Sequence, residues 1–365
     1  MAGFPFMRQA EAFRSSLPFI LLLAVFILPC PMSAAAKPRP AIAFVHLLLP
    51  PGGEPHASPT GWIGSLDRAR DTLESLRIPT IVSSASPGNA EDLNELSEMD
   101  PEVLITTSPL LYAAACDVAK RSPNTVFFAC TDETVHDNMS GFQARTYEAH
   151  YLAGLIAGAL SEDGVIGYLA NDPYQSKASR LRNANAFTLG AQKSKAAIRV
   201  LYAPGNDPDE ELKTLIAAGA DIVDLERALP SLVERLREHS VRYVGTAGRT
   251  VDPLCLAAPE WEWSNAFGDL LTQVRFGIWR PRNVSYGIKE GVVGLSPFGP
   301  ETVRVRVREA KEAIRNGASP FEGPIRDVSG SLRIAEGSVP DDATLRGMDW
   351  RVQGLEPLPL TPDGR

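Results

Sequence analysis

The side chains with catalytic potential in this 365-residue sequence form no familiar catalytic pattern. The sequence contains no G-x-S-x-G nucleophile elbow, no glycine-rich phosphate loop and no dinucleotide or kinase fingerprint. Its five histidines form no H-x-H or H-E-x-x-H pair, which predicts no metal site. Acidic runs such as Asp209-Glu210-Glu211 and Asp341-Asp342 fall at predicted helix starts, where they complement the helix dipole. We therefore predict no catalytic residues and no cofactor, while a Ser-His-Asp combination assembled by the fold stays open.

The chemistry that the residues do favour is stacking of aromatic side chains on a flat ring or a sugar. Aromatic and polar side chains follow several predicted strands, and a parallel sheet gathers such positions at one edge. Each stack of an aromatic side chain on a base contributes about 1–3 kcal/mol. The alternative is that the tryptophans only pack two lobes together. The candidate ligand-binding residues are Trp62, Tyr112, Asp172, Tyr174, Arg249, Trp261 and Trp263.

Short apolar runs alternate with amphipathic segments along the chain. Residues 41–49 (AIAFVHLLL) predict a buried strand, and residues 65–77 predict a helix with one apolar face. A second series of the same kind begins at residues 164–170 (GVIGYLA). This alternation predicts an α/β fold with two doubly wound parallel-sheet lobes, and the default ligand site is the cleft between their strand ends.

Three segments need separate interpretation. The segment 147–162 joins the two series, and its Gly154 and Gly158 predict close packing of a soluble helix. Residues 302–314 (TVRVRVREAKEAI) alternate like a strand in their first half and have helical periodicity in their second half, which leaves both structures open. The tail from Pro320 predicts short strands that run back over the first lobe.

The first 36 residues have the features of a secretory signal peptide. Arg8 and Arg14 precede an apolar run over residues 17–28, and small residues from Ser33 to Ala36 follow it. The run is shorter than the about 20 apolar residues that span a bilayer. These features predict an exported soluble chain, and an uncleaved N-terminal anchor is the alternative.

Charge and cysteine content restrict the partners further. A net charge of -8 argues against a nucleic-acid partner, because such binding requires a basic surface. The predicted mature chain keeps Cys116, Cys130 and Cys255, with no C-x-x-C spacing. We predict buried free thiols at these positions and leave a disulfide as the alternative.

Seven segments resemble those of the basic membrane protein (BMP) family, in the same order and at similar spacing. They are YEAHYLAGLIAGAL, IGYLA, NAFTLGAQ, WEW, YGIKEGVVGLSPFGP, PFEGPI and MDWRVQGLEP, and the similarity extends from about residue 41 to the end. The family consists of solute-binding proteins of ABC importers, and its best understood members are receptors for purine nucleosides. The resemblance implies a type I periplasmic-binding-protein fold, in which two α/β lobes joined by three crossovers close on a small molecule.

Within that fold we predict a division of the chain into a leader, two discontinuous lobes and a crossing helix. The parts are a signal peptide (1–36), an N-lobe (37–146, completed by roughly 251–262 and 323–365), a C-lobe (147–250, completed by roughly 280–322) and the helix (263–279).

The family's ligand residues correspond to this sequence only in part. The aromatic residue that stacks on the base after the first strand corresponds to Trp62, and the W-x-W pair corresponds to Trp261 and Trp263. Ala113 stands where the family has an acidic residue after the TTS strand, and Ala247 stands where nucleoside receptors have an aspartate.

Two missing acidic residues would weaken nucleoside binding, because each lost charged hydrogen bond forfeits about 1.5–3 kcal/mol. Either the ligand is a different aromatic heterocycle, or Asp172, Arg249 and Glu262 supply other polar contacts. A divergent copy that binds weakly is a further alternative.

We predict an exported, monomeric solute receptor without enzymatic activity. It would deliver a purine nucleoside, a base or a related heterocycle to a membrane ABC permease, in the periplasm and associated with the inner membrane through that permease. The alternative is a periplasmic sensor that reports ligand occupancy to a signalling receptor. A periplasmic nucleoside hydrolase is a third possibility that no motif supports.

Overall fold

The computed structural model describes residues 39–48, 61–133, 136–172, 175–245 and 252–359. The predicted signal peptide lies outside these residues. Within them, no helix combines the length and the apolar character that crossing a bilayer requires. The described strands form two large sheets and one small hairpin.

All neighbouring strands of the first sheet are parallel. With strands numbered in the order of the sequence, the order across this sheet is β11-β5-β4-β3-β1-β2. Its strands are β1 (Ile42–Leu47), β2 (Thr80–Ala85), β3 (Val103–Thr106), β4 (Val126–Cys130), β5 (Met139–Ala144) and β11 (Asn283–Tyr286). Its helices are α1 (Gly61–Ser75), α2 (Glu91–Ser97), α3 (Tyr112–Ala119) and α8 (Ser264–Arg275), with a 3₁₀ turn at Pro109–Leu111.

Both faces of the first sheet are covered, as the apolar runs predict. Along β1, Ile42 and Phe44 belong to one apolar cluster, whereas Ala43 and Val45 belong to the cluster on the opposite face. This alternation follows from the period of two along a strand, and a strand buried on both sides is apolar at every position.

The second sheet is also parallel at its centre and has one antiparallel edge strand, β12. Its strands are β6 (Val165–Leu169), β7 (Arg199–Ala203), β8 (Ile222–Leu225), β9 (Arg242–Val244), β10 (Cys255–Trp261), β12 (Val293–Pro297) and β15 (Leu355–Pro357). Their order is β12-β10-β9-β8-β6-β7-β15. The helices of this part are α4 (Tyr147–Leu160), α5 (Lys177–Ser194), α6 (Pro208–Ala217), α7 (Pro230–Glu238), α9 (Glu301–Arg315) and α10 (Asp342–Arg346). A hairpin of β13 (Ile325–Arg326) and β14 (Leu332–Ile334) lies in the tail.

Within the described ranges, the chain passes between the two sheets three times, as predicted. The first passage joins β5 to α4, the second joins β10 to α8, and the third joins β11 to β12. Each sheet is therefore built from separate parts of the sequence. The fold-class prediction of two α/β lobes with three crossovers is confirmed.

The three crossing segments are hydrogen-bonded to one another. The Arg145 amide of the first segment donates to the Tyr286 carbonyl at 2.7 Å, and the Glu262 amide of the second donates to the Val292 carbonyl at 2.8 Å. The Arg145 guanidinium also forms a salt bridge with Glu148 at 2.7 Å. The crossings are therefore bonded together as one connection between the sheets.

The strand pairing differs from the predicted division of the chain at three points. In the segment predicted as 251–262, the described residues do not complete the N-lobe, because β10 pairs with β9 and β12 in the second sheet. Within residues 280–322, β11 pairs with β5 and so belongs to the first sheet. The predicted tail 323–365 is described as far as residue 359, and that part does not cover the first lobe, because β15 pairs with β7 and tail side chains join the apolar cluster around α4 and α5. The predicted crossing helix is present as α8, which packs against α1.

The small residues of α4 allow that helix to touch α5 through its backbone. A Cβ atom added to Gly154 would lie 2.0 Å from the Phe187 carbonyl oxygen, and one added to Gly158 would lie 2.2 Å from the Ala191 carbonyl oxygen. The predicted close packing of this helix is confirmed.

The cysteines predicted to be free thiols lie within the described residues. They are buried and free, and they are Cys116, Cys130 and Cys255. Each packs among apolar side chains of one of the sheets. The predicted free state is therefore confirmed, and the disulfide alternative is wrong.

Candidate functional site

Trp62 stands at the start of α1, beside the carboxyl ends of the first sheet's strands. Its indole nitrogen donates to the Thr107 carbonyl, just beyond β3, at 2.8 Å. The ring is half-buried and is surrounded by other rings, with centroids 5.1 Å away for Trp263, 6.1 Å for Trp261 and 6.4 Å for Phe142. These contacts hold the Trp62 ring in one orientation, which lowers the entropy lost on stacking a ligand against it.

The two tryptophans of the W-x-W pair occupy different environments. Trp261 is half-buried and packs against the apolar clusters of both sheets. Trp263 is 0% exposed and stacks on Phe267 at a centroid distance of 5.5 Å. Among the described residues, neither indole nitrogen has a hydrogen-bond partner. Trp261 therefore lies where the sheets meet, and Trp263 supports Trp62 from within the core.

Tyr112 is not brought into this aromatic group. It packs against the apolar cluster on the other face of the first sheet, at the start of α3. Burial, followed by the neighbouring Cys116 thiol, raises the pKa of its hydroxyl to about 12, so the group is neutral. The structure thus separates Tyr112 from the tryptophans with which the sequence grouped it.

The second sheet contributes carboxylates at the ends of β6 and β8. Asp172 follows β6 and Glu226 directly follows β8, and the Asp172 amide donates to the Glu226 carboxylate at 3.3 Å. The Tyr168 hydroxyl donates to the same carboxylate at 2.9 Å. Side-chain amides extend this group, since Gln175 donates to Asp172 at 3.0 Å and Asn183 donates to Gln175 at 2.9 Å.

Burial is the main cause of an unusual pKa at Glu226. Desolvation and the nearby Asp172 carboxylate raise the pKa of Glu226 to about 7, against the opposing effects of His150 and the Tyr168 hydrogen bond. Such a carboxyl changes charge near neutral pH, and perturbed groups of this kind concentrate at functional sites.

Asp172 also acts across the two sheets. Burial, then Asp132, then Asp172 raise the pKa of the Cys130 thiol to about 12. Cys130 ends β4 of the first sheet, whereas Asp172 belongs to the second sheet. The Asp172 carboxylate is therefore one of the charges, after burial and Asp132, that keep this thiol protonated.

A buried ion pair that the sequence analysis missed lies beneath Glu226. His150 of α4 and Asp224 of β8 are almost fully buried, and the His150 Nδ1 atom is 3.1 Å from an Asp224 oxygen. Burial opposes ionisation of the imidazole, but the Asp224 carboxylate outweighs it and raises the pKa of His150. The one signal in the sequence was an aspartate inside the apolar strand IVDL, because a buried carboxylate requires a partner.

Stability should fall as the pH rises from about 5 to about 8 in the wild type, relative to a Glu226→Gln variant. Because folding raises the pKa of Glu226 from 4.5 to about 7, the protonated form favours the folded state. That contribution is complete below the unfolded pKa, is lost as the pH passes the folded pKa, and is about 3 kcal/mol.

The measurement is urea denaturation of both proteins across this pH range. Glu238→Gln, at an exposed position on α7, is the matched control and should follow the wild type. The Glu226→Gln substitution also removes an acceptor for the Asp172 amide, so the change with pH and not the absolute stability is the readout. Parallel pH profiles for the wild type and this variant would contradict the assignment.

Two candidate residues, Tyr174 and Arg249, lie outside the described residues, as does Ala247. Ala113 is exposed on α3. No group of three or more histidine, cysteine, aspartate or glutamate side chains in the described ranges is arranged to hold a metal ion.

Comparison with known proteins identifies related sequences. A family model described as "ABC transporter substrate-binding protein PnrA-like" matches residues 66–217. A purine-binding protein of Brucella abortus is 28% identical over 343 residues, which cover 89% of this chain and 95% of that protein. A Haloferax volcanii protein, provisionally named as an ABC transporter glucose-binding protein, is 28% identical over 307 residues, covering 77% of this chain and 78% of that protein.

Solved structures share the fold. A solute-binding protein of an ABC transporter system from Conexibacter woesei superposes with a TM-score of 0.62 at 17% identity, covering 76% of this chain and 96% of that one. At this level of identity the likeness shows the architecture alone. The type I periplasmic-binding-protein fold implied by the sequence motifs is therefore confirmed.

Proposed function

We propose that this chain, which belongs to the BMP family of PnrA-like ABC transporter substrate-binding proteins, binds a purine base, a nucleoside or a related flat heterocycle between its two sheets. The observation that carries the proposal is Trp62, a half-buried ring held by a backbone carbonyl and three neighbouring aromatic rings at the strand ends. A surface ring ordered to this degree suits stacking on a planar ligand, because little side-chain freedom remains to be lost.

The ring contacts give Trp62 and Trp261 complementary roles. Their planes are inclined by 81°, so a ligand stacked on one ring presents its edge to the other. The indole nitrogen of Trp261 is buried and has no acceptor among the described residues, so we assign Trp261 a ring contact with the ligand and no hydrogen bond. Trp263 takes the supporting role, because its ring has no exposed surface.

The polar contacts come from the second sheet. Asp172 and Glu226 place carboxylate oxygens at the ends of neighbouring strands, where ligands bind in sheets of this kind. Carboxylates accept hydrogen bonds from ring N–H and amino groups, which purine bases carry. They would replace the acidic positions that appear in this chain as Ala113 and Ala247, while Tyr112, Tyr174 and Arg249 stay as candidate contacts.

A ligand panel followed by thermal unfolding tests this proposal. Purine bases, nucleosides, glucose and ribose are added separately at about a hundredfold excess over a micromolar dissociation constant. A ligand that binds only the folded state then stabilises it by about 2.7 kcal/mol, which raises the melting temperature on the order of 5 °C. We expect this shift with purine compounds. A response confined to sugars, or no response to any purine, would overturn the assignment of the ligand.

The transport role follows from the family. We place the protein in the periplasm as a monomer that delivers its ligand to an ABC permease of the inner membrane, with binding energy directed to closure of the two sheets and no catalytic step. Cross-linking in cells should recover a permease. Recovery of a sensor kinase in its place would favour the signalling alternative.

A further inference from the structure

The turn that follows α8 exposes two large apolar side chains. Phe276 is 74% exposed and Ile278 is 64% exposed. The turn lies at the amino ends of the first sheet's strands, because the neighbouring Arg275 forms a two-pronged ion pair, at 2.7 and 2.9 Å, with Glu102, the residue before β3. It is therefore on the opposite end of that sheet from Trp62.

Backbone hydrogen bonds hold this turn in one conformation. Gly277 has a φ of 67° and donates to the Val274 carbonyl at 3.0 Å, while the Trp279 amide donates to the Gln273 carbonyl at 3.1 Å. Only glycine adopts this left-handed backbone readily, and the arrangement is a common helix C-terminus. The apolar side chains are thus held outward by a defined turn.

The base of the turn combines an aromatic ring with arginines. Trp279 is half-buried and packs against the apolar cluster of the first sheet. Arg280 donates to the carbonyls of Gly277 and Trp279, at 3.2 and 2.6 Å, and its side chain stays exposed. In the part of the chain that the structure describes, neither Arg280 nor Arg282 forms an ion pair with a carboxylate. This basic turn is notable on a chain whose net charge is -8.

We propose that this turn docks the protein on an anionic lipid surface. Phe276 and Ile278 would enter the boundary between headgroups and acyl chains, Trp279 would lie at headgroup level, and Arg280 and Arg282 would meet the lipid phosphates. Apolar residues flanked by aromatic and basic ones are the composition of segments that lie in a membrane interface. The remainder of the acidic chain is repelled by such a surface, so charge directs this turn toward it.

A lipid surface fits the shape of the turn better than a protein partner does. Two side chains on a convex turn bury far less than the about 800 Å² per partner that a stable protein interface needs. A fluid lipid surface closes around a protruding residue without requiring a matching pocket.

Co-sedimentation with vesicles tests the proposal on the exported chain. Vesicles of phosphatidylcholine and phosphatidylglycerol in a two-to-one mixture are compared with vesicles of phosphatidylcholine alone. The test variant is F276S/I278S, and the control is V339S, which changes a valine that is 54% exposed in the tail. Any background binding by a retained leader is common to all three proteins.

We expect wild type and V339S to bind the anionic vesicles, with binding weakened by salt and lost on phosphatidylcholine alone. The partition coefficient of F276S/I278S should fall at least about tenfold, while its affinity for the transported ligand stays unchanged. Absence of wild-type binding, or equal binding by F276S/I278S, would overturn the proposal. Light scattering that shows a wild-type dimer and a monomeric F276S/I278S would also overturn it, by assigning the turn to a second copy of the chain.

Discussion

Replacing Gly154 with alanine is expected to lower the free energy of unfolding by about 3 kcal/mol or more, the largest effect on stability that we predict. The new methyl group would stand 2.0 Å from the Phe187 carbonyl oxygen and 2.9 Å from the Ala191 nitrogen. Both are backbone atoms of α5, so no side chain can rotate away, and the two helices must separate. Gly190 of α5 faces the same restriction from the other side, with the Tyr151 carbonyl oxygen at 2.1 Å from its added Cβ.

Urea denaturation of G154A measures this loss, and Gly268→Ala is its matched control. Gly268 also lies inside a helix, but the nearest atom to its added Cβ is a leucine methyl at 4.0 Å. Alanine is a better helix former than glycine by about 1 kcal/mol, so G268A should be neutral or slightly stabilising. Equal stability of G154A and wild type would show that α4 and α5 are not packed backbone to backbone.

Replacing Trp62 with alanine is expected to weaken binding of a purine ligand between about tenfold and several hundredfold. The expected range corresponds to one base–aromatic stack of about 1–3 kcal/mol, with an added loss because Trp261 and Trp263 lose a ring neighbour. The loss should appear in the dissociation rate more than in the association rate, because the contact forms within the bound complex.

Isothermal titration calorimetry is the suitable measurement, since tryptophan fluorescence changes with the substitution itself. Trp62→Phe keeps an aromatic face and loses only the hydrogen bond to Thr107, so it should retain most of the affinity. Trp350→Ala removes a partly buried tryptophan of the second sheet's cluster and controls for general destabilisation. If W62A binds purines as the wild type does, Trp62 only packs the core and does not contact the ligand.

The order of strands and helices was predictable, whereas the pairing of the later strands was not. The alternation of apolar runs with amphipathic segments identifies the elements, because each period reflects a local geometry. Which sheet β10, β11 or β15 joins depends on contacts made far along the chain. Val200 of β7, for instance, pairs with Leu355 of β15. No local pattern encodes such a choice, and the prediction for the tail was wrong for this reason.

Helix α9 shows how a local pattern is ambiguous on its own. Its first residues, TVRVRV, alternate as a strand does, yet Glu301–Arg315 is helical throughout. Val303 and Val307 are buried and four residues apart, so they share one helix face, whereas Val305 is 37% exposed. Packing of that face against α4 decides between the two periods.

Some residues of the candidate site were predictable from the sequence and others were not. Trp62 was predictable, because an aromatic residue between a buried strand and a helix must lie near the strand ends. The His150–Asp224 pair was not, because it joins residues 74 positions apart, on α4 and β8, which only the tertiary fold brings into contact. Glu226 owes its raised pKa to that environment, and a list of acidic residues cannot reveal it.

The three bonded crossings limit the ways in which the two sheets can move relative to each other. Two sheets joined by a single crossing segment could bend and twist about several axes. Here three crossing segments are joined by the Arg145–Tyr286 and Glu262–Val292 hydrogen bonds, which oppose twisting and leave bending about one axis. If a ligand binds between the strand ends as proposed, the few relative motions of the sheets leave little orientational freedom to be lost on closure. The three crossings thereby restrict the two sheets to one bending motion. The binding energy from a small ligand contact would then drive that motion alone.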